Sequence, residues 1–94
     1  MTIQRLAEAD IEAALKNLPA WRRDGDFIRR DFSFGDFQKA FAFMTRVAFI
    51  AETRDHHPNW SNVYNRVEVA LSTHDAGGIT ERDIGMAAAI DAIG

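Results

Sequence analysis

The chain has 94 residues, of which 47% are hydrophobic and 27% are charged, a composition that fits a single domain over residues 1–94 and excludes disordered and low-complexity proteins. Its formal net charge of −3 argues against nucleic-acid binding, which needs clustered Lys and Arg to displace counterions. The absence of cysteine excludes disulfides, thiol nucleophiles and cysteine-ligated zinc.

The N-terminal segment predicts a short amphipathic helix. Apolar residues recur at three- and four-residue steps between Ala7 and Leu18, and Pro19 closes the segment. Ala7 stands where a capping Ser or Thr is expected, so we expect the first turn of this helix to fray.

The segment from Trp21 to Phe32 predicts a β-hairpin. Asp24-Gly25 separates two short segments, the second of them rich in aromatic and β-branched residues, and this pattern is typical of two antiparallel strands joined by a tight turn. Taken alone, Trp21 is better explained by core packing than by contact with a ligand.

A long helix is predicted from Ser33 to about His56. Ser33 and Asp36 match a capping box, and Phe32 and Phe37 stand at the positions of a hydrophobic staple. The apolar residues of this helix cover much more than one narrow stripe, which indicates burial on two sides. One side can pack on a sheet, and the other needs a partner, most economically a second copy of the same helix.

The C-terminal half predicts two further strands and a third helix. Alternating apolar residues indicate strands at Trp60 to Tyr64 and Arg66 to Leu71, with Asn65 suited to a left-handed turn conformation. A loop over residues 72–78 leads to a helix at residues 80–93. The resulting order is α-β-β-α-β-β-α, an α+β protein with a four-stranded antiparallel sheet.

The third helix begins with a second capping signal. Thr80 and Asp83 match a capping box, while Ile79 and Ile84 stand at the staple positions. Helix capping therefore explains Asp83 at least as well as a catalytic role does, and Arg82 beside it is compatible with a solvated surface residue.

The three histidines of the chain fall within nineteen positions, and two of them precede a proline. Because Pro58 disfavours a helical conformation at the residue before it, a helix should end near His56 and His57 should be extended. The two imidazoles should then diverge and perform different tasks. A histidine at a helix end beside carboxylates, here Glu52 and Asp55, is a candidate proton donor near neutral pH. The alternative is a polar surface turn.

The spacing of seven residues across this region resembles the signature of the pterin-4a-carbinolamine dehydratases. Three residues separate Glu52 from His56-His57-Pro58, then five precede Tyr64, nine precede His74 and eight precede Asp83. Short flanking segments also resemble that family, among them Leu71-Ser72-Thr73-His74 and Thr80-Glu81-Arg82-Asp83. The resemblance therefore spans nearly the whole chain.

The resemblance implies an antiparallel sheet covered on one face by helices, assembled into homodimers or homotetramers. It also implies dehydration of 4a-hydroxytetrahydropterin to the quinonoid dihydropterin, without a metal or organic cofactor, in the recycling of the cofactor of aromatic amino acid hydroxylases. By the same resemblance, His56 and His74 are the acid and base, and His57 binds or orients the pterin. Substrate-site residues are implied as well, namely Trp21 bordering the pterin, Glu52 and Asp55 holding the histidines, Pro58 in the signature, and Arg82 and Asp83 at the rim.

Two other functions compete with dehydration. In animals, proteins similar to this chain act as a dimerisation cofactor of a homeodomain transcription factor, and the broad apolar face between Phe37 and Ile50 motivates such a binding role. Zinc binding by Glu52 and the histidines is disfavoured because His57 diverges from His56 and because the dehydration needs no Lewis acid.

The sequence gives no sign of membrane insertion or export. No window reaches the length of apolar residues that a transmembrane helix needs, and the N-terminal residues lack the basic-then-apolar pattern of a signal peptide. We therefore expect a cytoplasmic protein with no membrane partner.

Overall fold

The computed structural model describes residues 3–94 and confirms the α-β-β-α-β-β-α order. The elements are α1 (Glu8–Lys16), β1 (Arg22–Asp24), β2 (Phe27–Ser33), α2 (Phe37–Arg54), β3 (Asn59–Val63), β4 (Arg66–Leu71) and α3 (Glu81–Ile93). A 3-10 turn at His74–Ala76 lies between β4 and α3.

The four strands form one antiparallel sheet in the order β1-β2-β4-β3. Residues directly opposite each other point to the same face, and the pair Ile28 and Leu71 and the pair Phe32 and Val67 are buried. These side chains form one core with Ile11 of α1 and with the inner faces of α2 and α3. The opposite face of the sheet carries charged residues, so the helices cover one face only.

The beginning of α2 differs from the prediction. The helix starts at Phe37, and its N-cap is Asp36, whose Oδ1 accepts a hydrogen bond from the Lys39 backbone N–H at 2.8 Å. The predicted start at Ser33 is wrong because the pairing of β2 with β4 continues to Ser33, which lies opposite Arg66. Strand pairing outweighed the local capping signal.

The predicted staple between Phe32 and Phe37 is also wrong. The Phe32 ring packs against that of Phe43 in the core, with 4.5 Å between their centroids, whereas Phe37 remains 47% exposed and contacts Phe41. The helix ends at Arg54, slightly before the predicted limit.

Both hairpin turns are shifted by one residue from their predicted centres. The first turn consists of Gly25 and Asp26, and Gly25 has a φ of 60°, which a glycine adopts without steric cost. In the second turn Tyr64, rather than Asn65, has the left-handed conformation, with a φ of 50°. The Asn65 side chain instead donates a hydrogen bond to the Phe34 carbonyl at 2.9 Å and ties the turn to the chain after β2.

The exposed side of α2 is strongly aromatic. Phe37, Phe41 and Phe49 are 47%, 57% and 71% exposed, while Phe43 and Val47 on the inner side are buried. The second buried side that the sequence predicts is therefore open in the single chain, and its covering by a partner stays a prediction. Within residues 3–94, no helix combines the length and apolarity that crossing a lipid bilayer would require.

Candidate active site

The predicted histidines meet at a cleft between the end of α2 and the connection from β4 to α3. The cleft has a volume of about 250 Å³ and is lined by Asp55, His56, His57, Ser72, Thr73, His74, Asp75 and Arg82. A larger cavity of about 560 Å³ between α1 and α3 contains no histidine, so size alone does not locate the site. The cleft combines three imidazoles with charges of both signs.

His56 is held beneath the start of α3. Asp55 closes α2 in a left-handed conformation with a φ of 50°, and the next backbone N–H, that of His56, still bonds to the Ala51 carbonyl at 3.0 Å. The chain turns sharply at this point, and the His56 side chain is buried, with Nε2 2.6 Å from Oδ1 of Asp83.

Asp83 is the fully buried carboxylate of the site. Its Oδ2 accepts hydrogen bonds from the Thr80 backbone N–H and from the Thr73 hydroxyl, both at 2.9 Å, while Oδ1 faces His56. Three partners therefore satisfy a carboxylate that would otherwise be costly to bury. The predicted capping box is confirmed, and the same side chain also binds a histidine.

With Asp83 ionised, its contact with Nε2 fixes the tautomer of His56. An ionised carboxylate has no proton to donate, so the hydrogen on Nε2 of His56 is donated to Asp83. A neutral His56 therefore has an unprotonated Nδ1, and a protonated His56 forms an ion pair with Asp83. This arrangement equips the imidazole to accept or donate one proton at Nδ1.

His57 has a different partner, in line with the predicted divergence of the two imidazoles. Its Nε2 lies 2.7 Å from Oε1 of Glu52, so Glu52 contacts His57 and not the more deeply buried His56. The side chains of His57 and Glu52 are 57% and 78% exposed, and solvent therefore screens their interaction strongly.

His74 lies on the other wall of the cleft, at the first position of the 3-10 turn. The loop that carries it is closed by two backbone hydrogen bonds between Thr73 and Gly78, of 2.9 and 3.3 Å. Gly77 closes the turn in the left-handed region, with a φ of 73°. His74 is exposed, which leaves its imidazole accessible to a bound molecule.

Four predicted site residues do not line the cleft, and one of them is Asp83, which contacts the lining residue His56 from below. Glu52 reaches it through His57, and Pro58 is half-buried behind the histidine pair. Trp21 is buried in the core, where its indole N–H donates a hydrogen bond to Asp91 at 2.8 Å. A role for Trp21 beside a pterin therefore stays a prediction.

Thr73 was missed as a contributor to the site, and Thr80 was recognised only as a helix cap. The only sequence signal for Thr73 was its place in the segment Leu71-Ser72-Thr73-His74. Nothing about a threonine at this position indicated a contact with Asp83. Its role depends on packing between segments ten residues apart.

Within residues 3–94, no three His, Cys, Asp or Glu side chains are arranged to hold a metal ion.

The chain is similar to known proteins over nearly its whole length. The family model described as pterin 4 alpha carbinolamine dehydratase matches residues 4–93. A protein of Rhizorhabdus wittichii, provisionally named a pterin-4-alpha-carbinolamine dehydratase, is 55% identical over 99% of this chain and 98% of its own length. A relative from a Bradyrhizobium species with the same provisional name is 56% identical over 97% of this chain and 93% of its own length.

Two solved structures share the fold. The crystal structure of a transcriptional coactivator/pterin dehydratase from Brucella melitensis superposes with a TM-score of 0.92 at 47% identity, covering 96% of this chain and 98% of that one. A pterin dehydratase-like protein identified as a RuBisCO assembly factor in the alpha-carboxysome has a TM-score of 0.68 at 27% identity, covering 79% of this chain and 88% of that one. Because the family model matches residues 4–93 of this chain, the chain belongs to the pterin 4 alpha carbinolamine dehydratase family.

Proposed function

We propose that this protein dehydrates 4a-hydroxytetrahydropterin to the quinonoid dihydropterin and water. The observation that carries the proposal is the buried His56–Asp83 pair, whose histidine lines one cleft together with His57 and His74. The reaction breaks the C4a–O bond and removes the proton from N5. Since hydroxide is a poor leaving group, the reaction needs an acid at the hydroxyl oxygen and a base at N5.

His56 and His74 are the proposed acid and base, facing the substrate from opposite walls of the cleft. Asp83 holds the ring of His56 in one orientation through Nε2 and leaves Nδ1 as the atom that can take up and release a proton. His74 is exposed and lies on a loop closed by its own hydrogen bonds, so it can approach the substrate without disturbing the core.

The other residues of the cleft are proposed to bind the pterin. His57, supported by Glu52, presents a ring at the entrance, and Arg82 and Asp55 add one charge of each sign to the walls. The polar edge of a pterin carries both donors and acceptors, which suits this mixture. In the proposed role, the quinonoid product is then reduced again, so that the reaction serves the recycling of a tetrahydropterin used by a hydroxylase.

The test is stopped-flow absorbance of chemically generated 4a-hydroxytetrahydropterin mixed with wild-type protein, His56→Ala or His74→Ala. Lys16→Ala, an exposed substitution in the last turn of α1, serves as the control. We expect acceleration by the wild type and the control, and a loss of about 10²-fold or more in each histidine variant. A folded wild-type protein that does not accelerate the decay would overturn the proposed activity.

A second candidate function is protein binding through the exposed aromatic side of α2. Phe37 and Phe41 contact each other with 5.8 Å between ring centroids, and with Phe49 they form an apolar surface that a monomer leaves in water. A second copy of the chain covers such a surface most economically. The Brucella relative is described as a transcriptional coactivator/pterin dehydratase and the more distant neighbour as a RuBisCO assembly factor, which supports asking whether another protein can bind this surface.

Light scattering and a pull-down distinguish binding of a second copy of the chain from binding of another protein. A dimer or tetramer that becomes smaller in Phe41→Ser and Phe49→Ser, but not in the exposed α1 variant Ala13→Ser, would support self-association through α2. If the pull-down recovers only the protein itself, binding of another protein loses its support.

A further inference from the structure

We propose that the hydroxyl groups of Thr80 and Thr73 form a hydrogen-bonded relay that ends on Asp83 and sets the strength of the His56–Asp83 hydrogen bond. Both threonines are then positioning residues, because they act on His56 only through Asp83. The kinetic part of this inference rests on the proposed dehydratase function, whereas the spectroscopic part does not.

The relay consists of three short contacts in the core. The hydroxyl oxygens of Thr73 and Thr80 are 2.7 Å apart, and the Thr73 hydroxyl oxygen lies 2.9 Å from Oδ2 of Asp83. The other carboxylate oxygen lies 2.6 Å from Nε2 of His56. Thr73, Thr80 and Asp83 are 3%, 0% and 0% exposed, so water does not compete for these bonds.

The direction of every bond follows from the number of hydrogens available. Asp83 can only accept, so the single hydroxyl hydrogen of Thr73 is donated to it. The contact between the threonines must then use the hydroxyl hydrogen of Thr80. The Thr80 oxygen in turn accepts the Arg82 backbone N–H at 3.2 Å, which orients it from the start of α3. One direction of donation therefore runs from α3 through Thr80 and Thr73 to Asp83.

A relay of this kind alters the charge on Asp83. Hydrogen bonds in a chain polarise one another, so the Thr80 hydroxyl makes that of Thr73 a better donor, and Thr73 withdraws charge from the carboxylate. Without Thr73, more negative charge remains on Oδ1, and the bond from Nε2 of His56 becomes stronger. Neither threonine is needed to contact a substrate for this effect.

The decisive measurement is proton NMR of the His56 Nε2–H in protein with 15N-labelled histidine. Thr73→Val removes the hydroxyl from a side chain of nearly the same shape, and Thr73→Ser restores it. We expect the Nε2–H resonance to move downfield in Thr73→Val and to return in Thr73→Ser. An unchanged or upfield resonance in a folded Thr73→Val protein would overturn the relay.

Thr80→Val tests the second link and separates it from helix capping. We expect a smaller downfield shift than in Thr73→Val, and no additional shift when Thr80→Val is combined with Thr73→Val, since the connection to Asp83 is then already broken. A cap alone would lower stability equally in both backgrounds without moving the resonance. Equal, additive shifts from the two threonines would overturn the relay as a sequential chain.

Kinetics provide a separate readout. In Thr73→Val we expect kcat to fall roughly tenfold with a smaller change in KM, by analogy with the roughly 10–100-fold losses that follow removal of the hydrogen-bond partners behind metal-ligating histidines. If wild-type protein lacks dehydratase activity, the proposed function fails while the NMR test still decides the relay. If Thr73→Val does not fold, the relay can still be tested in wild-type protein. Rapid solvent exchange of the Thr73 or Thr80 hydroxyl proton there would overturn the relay.

Discussion

Nε2 of His56 lies 2.6 Å from Oδ1 of Asp83, a contact that joins the end of α2 to the first turn of α3. The other oxygen of Asp83 closes the capping box with the Thr80 backbone. One carboxylate therefore both begins a helix and orients a histidine of the candidate site. Any change at Asp83 should affect stability and activity together, whereas changes at the exposed residues of the cleft should separate them.

Asp83→Asn should disturb both properties. Asparagine has one acceptor oxygen, so its amide must face either the Thr80 and Thr73 donors, which then lose a hydrogen bond, or Nε2 of His56, whose ring must then switch tautomer. We expect a loss of about 1–3 kcal/mol in the free energy of unfolding, measured by urea denaturation. We expect kcat to fall by about 10²-fold or more, measured by stopped-flow absorbance. A variant with wild-type kcat would show that His56 does not need this partner.

Glu52→Gln is the matching substitution at the carboxylate partner of the exposed histidine, His57. Because the Glu52–His57 pair is largely in solvent, we expect the free energy of unfolding to change by no more than about 0.5 kcal/mol. The proposed role of His57 in binding predicts that KM rises more than kcat falls. If kcat falls as far as in Asp83→Asn while KM stays constant, then His57 takes part in the chemical step.

Much of the fold could be predicted because its signals are local. Thr80 and Asp83 stand three positions apart and form the capping box that this spacing predicts. The predicted start of α2 was wrong because Ser33 also fits a strand. Its pairing with Arg66 is a long-range contact, which local capping rules do not take into account. The left-handed residue of the second turn was misplaced for a related reason, since the Asn65 side chain is used to bind the Phe34 carbonyl.

The gathering of the three histidines was predictable, but their contacts were not. The adjacency of His56 and His57 to Pro58 predicted their divergence, which the structure confirms. Their partners required tertiary structure, because Asp83 is 27 positions from His56 along the chain. Thr73 was missed since a buried threonine gives no signal until its acceptor is known.

The two capping candidates before α2 can be separated by mutation. Asp36→Ala removes the side chain that accepts the Lys39 backbone N–H, so we expect a loss of about 1 kcal/mol in the free energy of unfolding. Ser33→Ala, at an exposed strand position, should change it by no more than about 0.5 kcal/mol. Urea denaturation of both variants checks this ranking, and a larger loss in Ser33→Ala would contradict it.

Tyr64 is strained in the second hairpin turn. Its φ of 50° is a conformation that asparagine tolerates better than tyrosine, and its side chain is 62% exposed. We expect Tyr64→Asn to raise the free energy of unfolding by roughly 0.5–1 kcal/mol, and the β-branched change Tyr64→Val to lower it. Thermal unfolding of the two variants beside the wild type tests the order. A destabilised Tyr64→Asn protein would mean that the tyrosine ring makes a stabilising contact in the folded protein.

An ion pair between the start of α1 and β1 should make stability depend on pH. Both carboxylate oxygens of Glu8 accept hydrogen bonds from Arg23, at 2.6 and 3.1 Å, and this bonding and the positive charge hold the pKa of Glu8 below its usual value of 4.5. A lowered folded-state pKa contributes stability above the unfolded-state pKa, and this contribution is lost as the pH falls through the folded-state pKa. Wild-type protein should therefore exceed Glu8→Gln in stability at pH 7, and the difference should vanish well below pH 4.5. Because the pair is exposed, concentrated NaCl at pH 7 should also reduce the difference. Urea denaturation at both pH values, with and without salt, measures it, and a difference that persists in acid would mean that Glu8 stabilises α1 by means other than its charge.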